Sequence, residues 1–158
     1  MELFNTNKNQ DHPLAFNMSP KTLEEFVGQD HILGKNKPLK NLILEDKLIS
    51  IILWGPPGTG KTALSKLIAN KSASYYIALN AVTDKVNEIK KAVAMAKMNL
   101  TKNQKTILFI DEIHRFSKIQ QDALLPNIEN GLLTLIGATT ENPFYSVTPA
   151  LRSRVQIY

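Results

Sequence analysis

Residues 55–62, GPPGTGKT, follow the apolar run SIILW and precede a stretch with helical periodicity. Glycine loses more backbone freedom on folding than any other residue and has no side chain to bury. Three glycines, two prolines and a lysine at the end of a buried strand therefore serve something other than packing. Gly55, Gly60, Lys61 and Thr62 match G-x-x-x-x-G-K-[ST] in the strand–loop–helix setting that the motif requires. Small residues let successive backbone N–H groups curl around phosphate oxygens, and the following helix adds the positive end of its dipole. On this reading Lys61 reaches the β- and γ-phosphates, and the Thr62 hydroxyl ligates Mg²⁺.

The rest of the chain alternates in the same way. IILW and TILFI are continuous apolar runs, as strands covered on both faces would be. YYIAL, LLTLIGA and VQIY supply three more strands. Helices are expected over residues 37–47, over 61–71 burying Leu64, Leu67 and Ile68, and over 85–98 with Val86, Ile89, Val93 and Ala96 on one stripe. Lys85, Lys90, Lys91 and Lys97 lie opposite that stripe, as a solvated face or as a contact for DNA, the solvated face being favoured. Ser117 and Gln120 have capping-box spacing and open a helix that stops near Gly131, with Pro126 as an internal kink. Thr22 and Glu25 have the same spacing and start a short helix at Leu23. Strand–helix alternation with short connections implies an α/β fold, a mostly parallel sheet with helices on both faces.

Ligands in open α/β sheets bind at the carboxyl ends of the strands. TILFIDE delivers Asp111 and Glu112 there, Asp111 to hold Mg²⁺ through its water shell and Glu112 to polarise a water as general base. LIGATTEN brings Thr140, or else Thr139, to the same rim to meet the γ-phosphate or the water, with Asn142 as a third candidate. Lysine is the default cation, at sixteen against three arginines, Arg115, Arg152 and Arg154. Where the planar arginine fork replaces lysine, a directed contact is expected, and PALRSR carries two of the three close to the nucleotide. His114 reads as a turn residue or a rim contact, and no histidine has metal-ligand spacing.

With 158 residues, 43% hydrophobic and 21% charged, the chain is of one-domain size. The absence of cysteine excludes disulfides and thiolate metal sites. No apolar run approaches the roughly 20 residues of a membrane span, and the polar start MELFNTNKNQDHP lacks the apolar core of a signal peptide, so a cytoplasmic location is expected. A net charge of +5 allows a polyanionic partner without demanding one.

ILWGPPGTGKT, LFIDEIHRFSKIQQDALLPNIENG, LIGATTENP and EEFVGQDHILG together resemble the AAA+ ATPase core. Within it they resemble the RarA/MgsA branch, replication-associated recombination ATPases related to clamp loaders and to Werner-helicase-interacting protein. The resemblance covers the chain from about Leu14 onward. It implies a P-loop NTPase three-layer αβα sandwich around a five-stranded parallel sheet in the order 5-1-4-3-2. Residues 1–20 would be an irregular segment and residues 21–158 the nucleotide-binding subdomain, with the helical lid and a C-terminal oligomerisation region beyond Tyr158.

The resemblance also implies ATP hydrolysis with Mg²⁺, stimulated by DNA ends or single strands at stalled forks, in a homo-oligomer. Gly55, Pro56, Pro57, Gly58, Thr59, Gly60, Lys61, Thr62 and the adjoining Ala63 would form the Walker A site, and Asp111 with Glu112 Walker B. Thr140 matches the sensor-1 position and Arg154 the arginine finger that serves a neighbouring subunit. Val27, Gly28 and Ile32 fall in the stretch that packs on adenine. Asn17 and Ser19 stand where the family carries arginines, and Arg152 where it carries leucine. Two other readings fit parts of the pattern. A branch-migration helicase motor shares IGATT and a similar LRSR but leaves ENPF and HRFSKIQQDALLP unexplained. A loader-like, nucleotide-gated subunit with little hydrolysis is opposed by the complete acid pair.

Overall fold

The computed structural model describes residues 22–23 and 30–158. The segment 1–20, Val27, Gly28 and most of the helix expected from Leu23 lie outside the described residues. Two short helices, α1 (Asp30–Leu33) and α2 (Pro38–Leu44), precede the alternating part. Pro38 occupies the first turn of α2, where its missing N–H costs nothing.

Five strands follow: β1 (Ile51–Trp54), β2 (Tyr75–Asn80), β3 (Thr106–Asp111), β4 (Thr134–Thr139) and β5 (Gln156–Ile157). They pair in the order β2-β3-β4-β1-β5, every pair parallel. Read from the other edge, this is the expected order 5-1-4-3-2. The crossovers are α3 (Lys61–Lys71), α4 (Val86–Thr101), α5 (Lys118–Glu129), and two four-residue helices, α6 (Pro143–Ser146) and α7 (Pro149–Arg152). A 3₁₀ turn, Ile113–Arg115, links β3 to α5.

Side chains alternate across a strand, so each central strand feeds two cores. Ile51, Leu53, Ile107, Phe109, Ile136 and Ala138 face one cluster with Leu39 of α2 and Leu64, Leu67 and Ile68 of α3. Ile52, Leu108, Ile110 and Leu135 face the other with Ile89 and Ala96 of α4, Leu124 of α5 and Leu151 of α7. These two cores make the three layers.

Local chemistry sets the helix ends. Ser117 and Gln120 form the expected capping box: the Ser117 amide donates to Gln120 Oε1 at 2.8 Å and the Gln120 amide to Ser117 Oγ at 3.2 Å. α5 runs through Pro126 and ends at Glu129, two residues before the left-handed Gly131. α4 continues three residues beyond its expected end at 98 and stops before Asn103, which takes up the left-handed conformation (φ 57°). Its buried stripe includes Ile89 and Ala96 as expected, and also Ala92 and Asn99. Burial of Asn99 is satisfied because its amide donates to Thr106 Oγ1 at 3.0 Å. Among the described residues, no helix is long and apolar enough to cross a membrane.

Candidate functional site

The parallel sheet brings the carboxyl ends of β1, β3 and β4 to one edge. Trp54 stands opposite Thr139, and Asn80 opposite Asp111. The P-loop, the acid pair and the threonines are therefore neighbours through topology alone.

The P-loop leaves β1 between two neighbouring strands. The Trp54 amide donates to the Tyr158 carbonyl at 2.8 Å, and the Gly55 amide donates to the Thr139 carbonyl at 3.1 Å. Gly58 and Gly60 adopt φ of 78° and 88°, a conformation that a Cβ would strain. Gly60 is the N-cap of α3 and provides no side-chain cap, so the first amides of the helix face the loop. Pro56, Pro57, Gly58 and Thr62 are exposed, while Gly55, Thr59, Gly60, Lys61 and Ala63 are half-buried.

Lys61 folds over the loop. Its Nζ donates to the Gly55 and Pro56 carbonyls, both at 2.8 Å, and to Thr59 Oγ1 at 3.3 Å. Burial pushes the Lys61 pKa below that of an ordinary lysine, while the Asp111 and Glu112 carboxylates pull it back up. The ammonium thus lies within the field of both acids. Further along α3, Ser65 Oγ donates to the Thr62 carbonyl at 2.7 Å and lies 2.7 Å from Tyr76 OH.

Asp111 ends β3, and its Oδ1 accepts from the Glu112 amide at 3.0 Å. Glu112 is left-handed, with φ of 54°. A non-glycine residue there costs about 1–3 kcal/mol, so its surroundings must impose the conformation. Ile113 does so by packing on Gly137 of β4, where an added Cβ would come within 3.0 Å of Ile113 Cδ1. The glycine of LIGATT lets the acid turn lie directly against the sheet.

His114, expected as a turn residue or a rim contact, is an internal link in the structure. Its ring is 5% exposed. Nδ1 lies 2.8 Å from Thr139 Oγ1, and Nε2 lies 3.2 Å from Glu112 Oε2 and 3.8 Å from Glu141 Oε1. Thr139 is buried and engaged, also accepting from the Glu141 amide at 3.0 Å, whereas Thr140 stands half-exposed one residue beyond. Asn142 caps α6, its Oδ1 accepting from the Phe144 amide at 3.0 Å.

Gln121, 3% exposed, is a second link that sequence reasoning missed. Its amide donates to the Phe116 carbonyl at 3.0 Å and the Ser146 carbonyl at 3.4 Å, and its oxygen accepts from the Thr148 amide at 2.8 Å. It joins the end of the acid turn to the N-cap of α7. A glutamine one residue after a capping-box glutamine gives no hint of this role, because its partners lie up to 27 residues away.

The arginines differ. Arg154 pairs with Glu129 and donates from Nη1 to the Ala150 carbonyl at 3.0 Å and Ser153 Oγ at 2.6 Å, all at exposed positions. Arg152 lies over the Phe144 ring at 5.6 Å, with its Nε buried and unpartnered. Arg115 is exposed beside the acid turn.

A solvent-open cleft runs from the P-loop to α1, lined by His31, Ile32, Trp54, Gly60, Lys61 and Tyr158. Ile32 is therefore next to the loop. Trp54 and Tyr158 were not singled out in the sequence.

Residues 51–158 match the ATPase family associated with various cellular activities (AAA). The replication-associated recombination protein A of Coxiella burnetii is 53% identical over 146 residues, covering 92% of this chain and 33% of that protein. The Haemophilus influenzae protein of the same name is 47% identical, covering 98% of this chain and 35% of its own length. ATPase WRNIP1 of Dictyostelium discoideum is 46% identical over 99% of this chain and 18% of its own. The chain thus spans about a third of the bacterial relatives' length. Among solved structures, the Thermotoga maritima RuvB Holliday junction branch migration motor superposes with a TM-score of 0.67 at 31% identity, covering 89% of this chain and 48% of that one.

Proposed function

Since the chain belongs to the AAA family of ATPases, we propose that it is the ATP-binding and ATP-hydrolysing subdomain of a longer replication- and recombination-associated ATPase. The single observation that carries this is Lys61, folded on a glycine loop at the carboxyl edge of the sheet within the field of Asp111 and Glu112. A cation so placed suits a triphosphate between the loop and the acids.

Within residues 55–63 the main-chain amides of residues 58–63 would wrap the phosphates, with Gly55, Pro56 and Pro57 shaping the loop, and Ile32 would contact the base, together with Val27 and Gly28. The Thr62 hydroxyl and the Asp111 carboxylate are oxygen donors that suit Mg²⁺. The ion they would hold would supply neutralisation of the phosphate charge. Glu112 would take a proton from the attacking water, and Thr140 would orient that water or the γ-phosphate. Arg154 would serve the ATP of a neighbouring subunit. Its own pairing is exposed, and exposed pairs contribute about 0–1 kcal/mol, so leaving Glu129 is cheap. Arg152 is anchored over Phe144 and is the weaker candidate.

The relatives named for replication-associated recombination exceed the RuvB structures in identity, at 41–53% against about 30%. That favours the first reading over a branch-migration motor. The test is steady-state ATPase of the full-length protein with and without single-stranded DNA. DNA is expected to raise turnover several-fold, and Glu112→Gln to lower it about 10²–10⁴-fold with ATP binding retained. Full turnover in Glu112→Gln would contradict the reading. Binding of ATP and DNA without hydrolysis by wild type would favour the loader-like alternative. This chain alone should turn over weakly, because an arginine from a neighbour contributes about 10³–10⁵-fold.

A further inference from the structure

His114 is a buried ring to which the mechanism above gives no task. We propose that His114 is a positioning residue that fixes the Glu112 carboxylate and ties it, through Thr139, to the P-loop. The proposal rests on the reading of Glu112 as general base.

The contacts form one chain. Glu112 Oε2 is 3.2 Å from His114 Nε2, His114 Nδ1 is 2.8 Å from Thr139 Oγ1, and the Thr139 carbonyl accepts from the Gly55 amide at 3.1 Å. The base is thereby connected to the first residue of the loop through two side chains and one main-chain bond. Proton positions follow from the partners. A carboxylate can only accept, so Nε2 carries the hydrogen toward Glu112. Nδ1 meets the Thr139 hydroxyl at 2.8 Å; that hydroxyl accepts from the Glu141 amide at 3.0 Å and has the Glu141 carbonyl 3.2 Å away as a second acceptor for its hydrogen.

Glutamate has three side-chain torsions, and a base must hold one of its rotamers while water is in place. The Glu112 side chain is 34% exposed and would otherwise sample several. The ring restrains Oε2 and leaves Oε1 to face the water. Its own position is fixed because Ile113 is seated on Gly137. His114 touches no reacting atom and acts only through Glu112.

The test compares full-length wild type with His114→Ala, His114→Asn, His114→Gln, Glu112→Gln and the double variant Glu112→Gln/His114→Ala. Each is measured for kcat, KM, ATP affinity and melting temperature. Glutamine places its terminal amide about where Nε2 stands, whereas asparagine places it nearer Nδ1. His114→Ala and His114→Asn are expected to lower kcat about tenfold with KM and ATP affinity within twofold, and His114→Gln to recover most of the loss. The double variant should be no slower than Glu112→Gln. If His114→Ala keeps kcat within twofold while Glu112→Gln is silent, the positioning role is overturned and the base stands. Equal loss in His114→Asn and His114→Gln, or loss of ATP affinity or folding in both, overturns it in favour of a structural role. Full turnover in Glu112→Gln would remove the base itself.

Discussion

From Gly55 to Thr62 the P-loop is shaped mainly by bonds between residues no more than six apart, Thr59 and Lys61 reaching back to Gly55 and Pro56. From Asp111 to Phe116 the acid turn is shaped by residues much farther along the chain. Thr139 holds His114, Gly137 admits Ile113, and Gln121 bridges Phe116 to Thr148. Both segments serve one edge of one sheet. A phosphate cradle can be assembled from its own backbone, whereas a base must be aimed, and aiming needs a second element as reference.

This difference can be broken or sharpened by substitution. The largest effect on stability is expected at Gly137→Val, which forces atoms against Ile113 and Ile52 and should cost about 3 kcal/mol by overpacking. Thermal melting measures that cost. ATPase assays should show turnover falling with it, while ATP affinity changes little because the loop keeps its local bonds. If Gly137→Val were as stable as wild type, the acid turn would not depend on β4.

Gly60→Ala probes the other region. At φ 88° an alanine should cost about 1–2 kcal/mol, and the misplaced amides should weaken ATP binding about tenfold, read by calorimetry. Together the two variants should separate turnover from affinity, and identical profiles would erase the distinction. Ser117→Ala removes one half of the box that starts α5 and should lower stability by about 1 kcal/mol. The smallest effect is expected at Glu129→Ala. It frees Arg154 from an exposed pair and should shift stability by no more than about 1 kcal/mol. A larger loss would mean that Arg154 is a structural cation.

The same contrast explains what the chain reveals before it folds. The P-loop, the strands and the α5 cap depend on residues a few positions apart, and GPPGTGKT, TILFI and Ser117–Gln120 state them directly. Strand order followed from the resemblance and not from spacing. The roles of His114, Gln121 and Gly137 depend on partners about 24 to 27 residues away, and no local pattern encodes such a distance. The one visible signal was Gly137 in the middle of an apolar run, where glycine marks close approach of another segment. The threonine pair could not be divided from sequence, because only burial separates engaged Thr139 from half-exposed Thr140. α4 ran past its expected end because Asn103 tolerates the left-handed conformation that terminates it.

The chain contains a single tryptophan, Trp54, and it lines the cleft beside Gly60 and Lys61. Its fluorescence is therefore a direct reporter of whether a nucleotide enters where the P-loop would hold it. Titration of this chain with MgATP should change Trp54 emission saturably, and Lys61→Ala should weaken that response at least 30-fold. An emission that does not respond to ATP, or one that saturates at the same concentration in Lys61→Ala, would contradict the placement of the triphosphate between the loop and the acids.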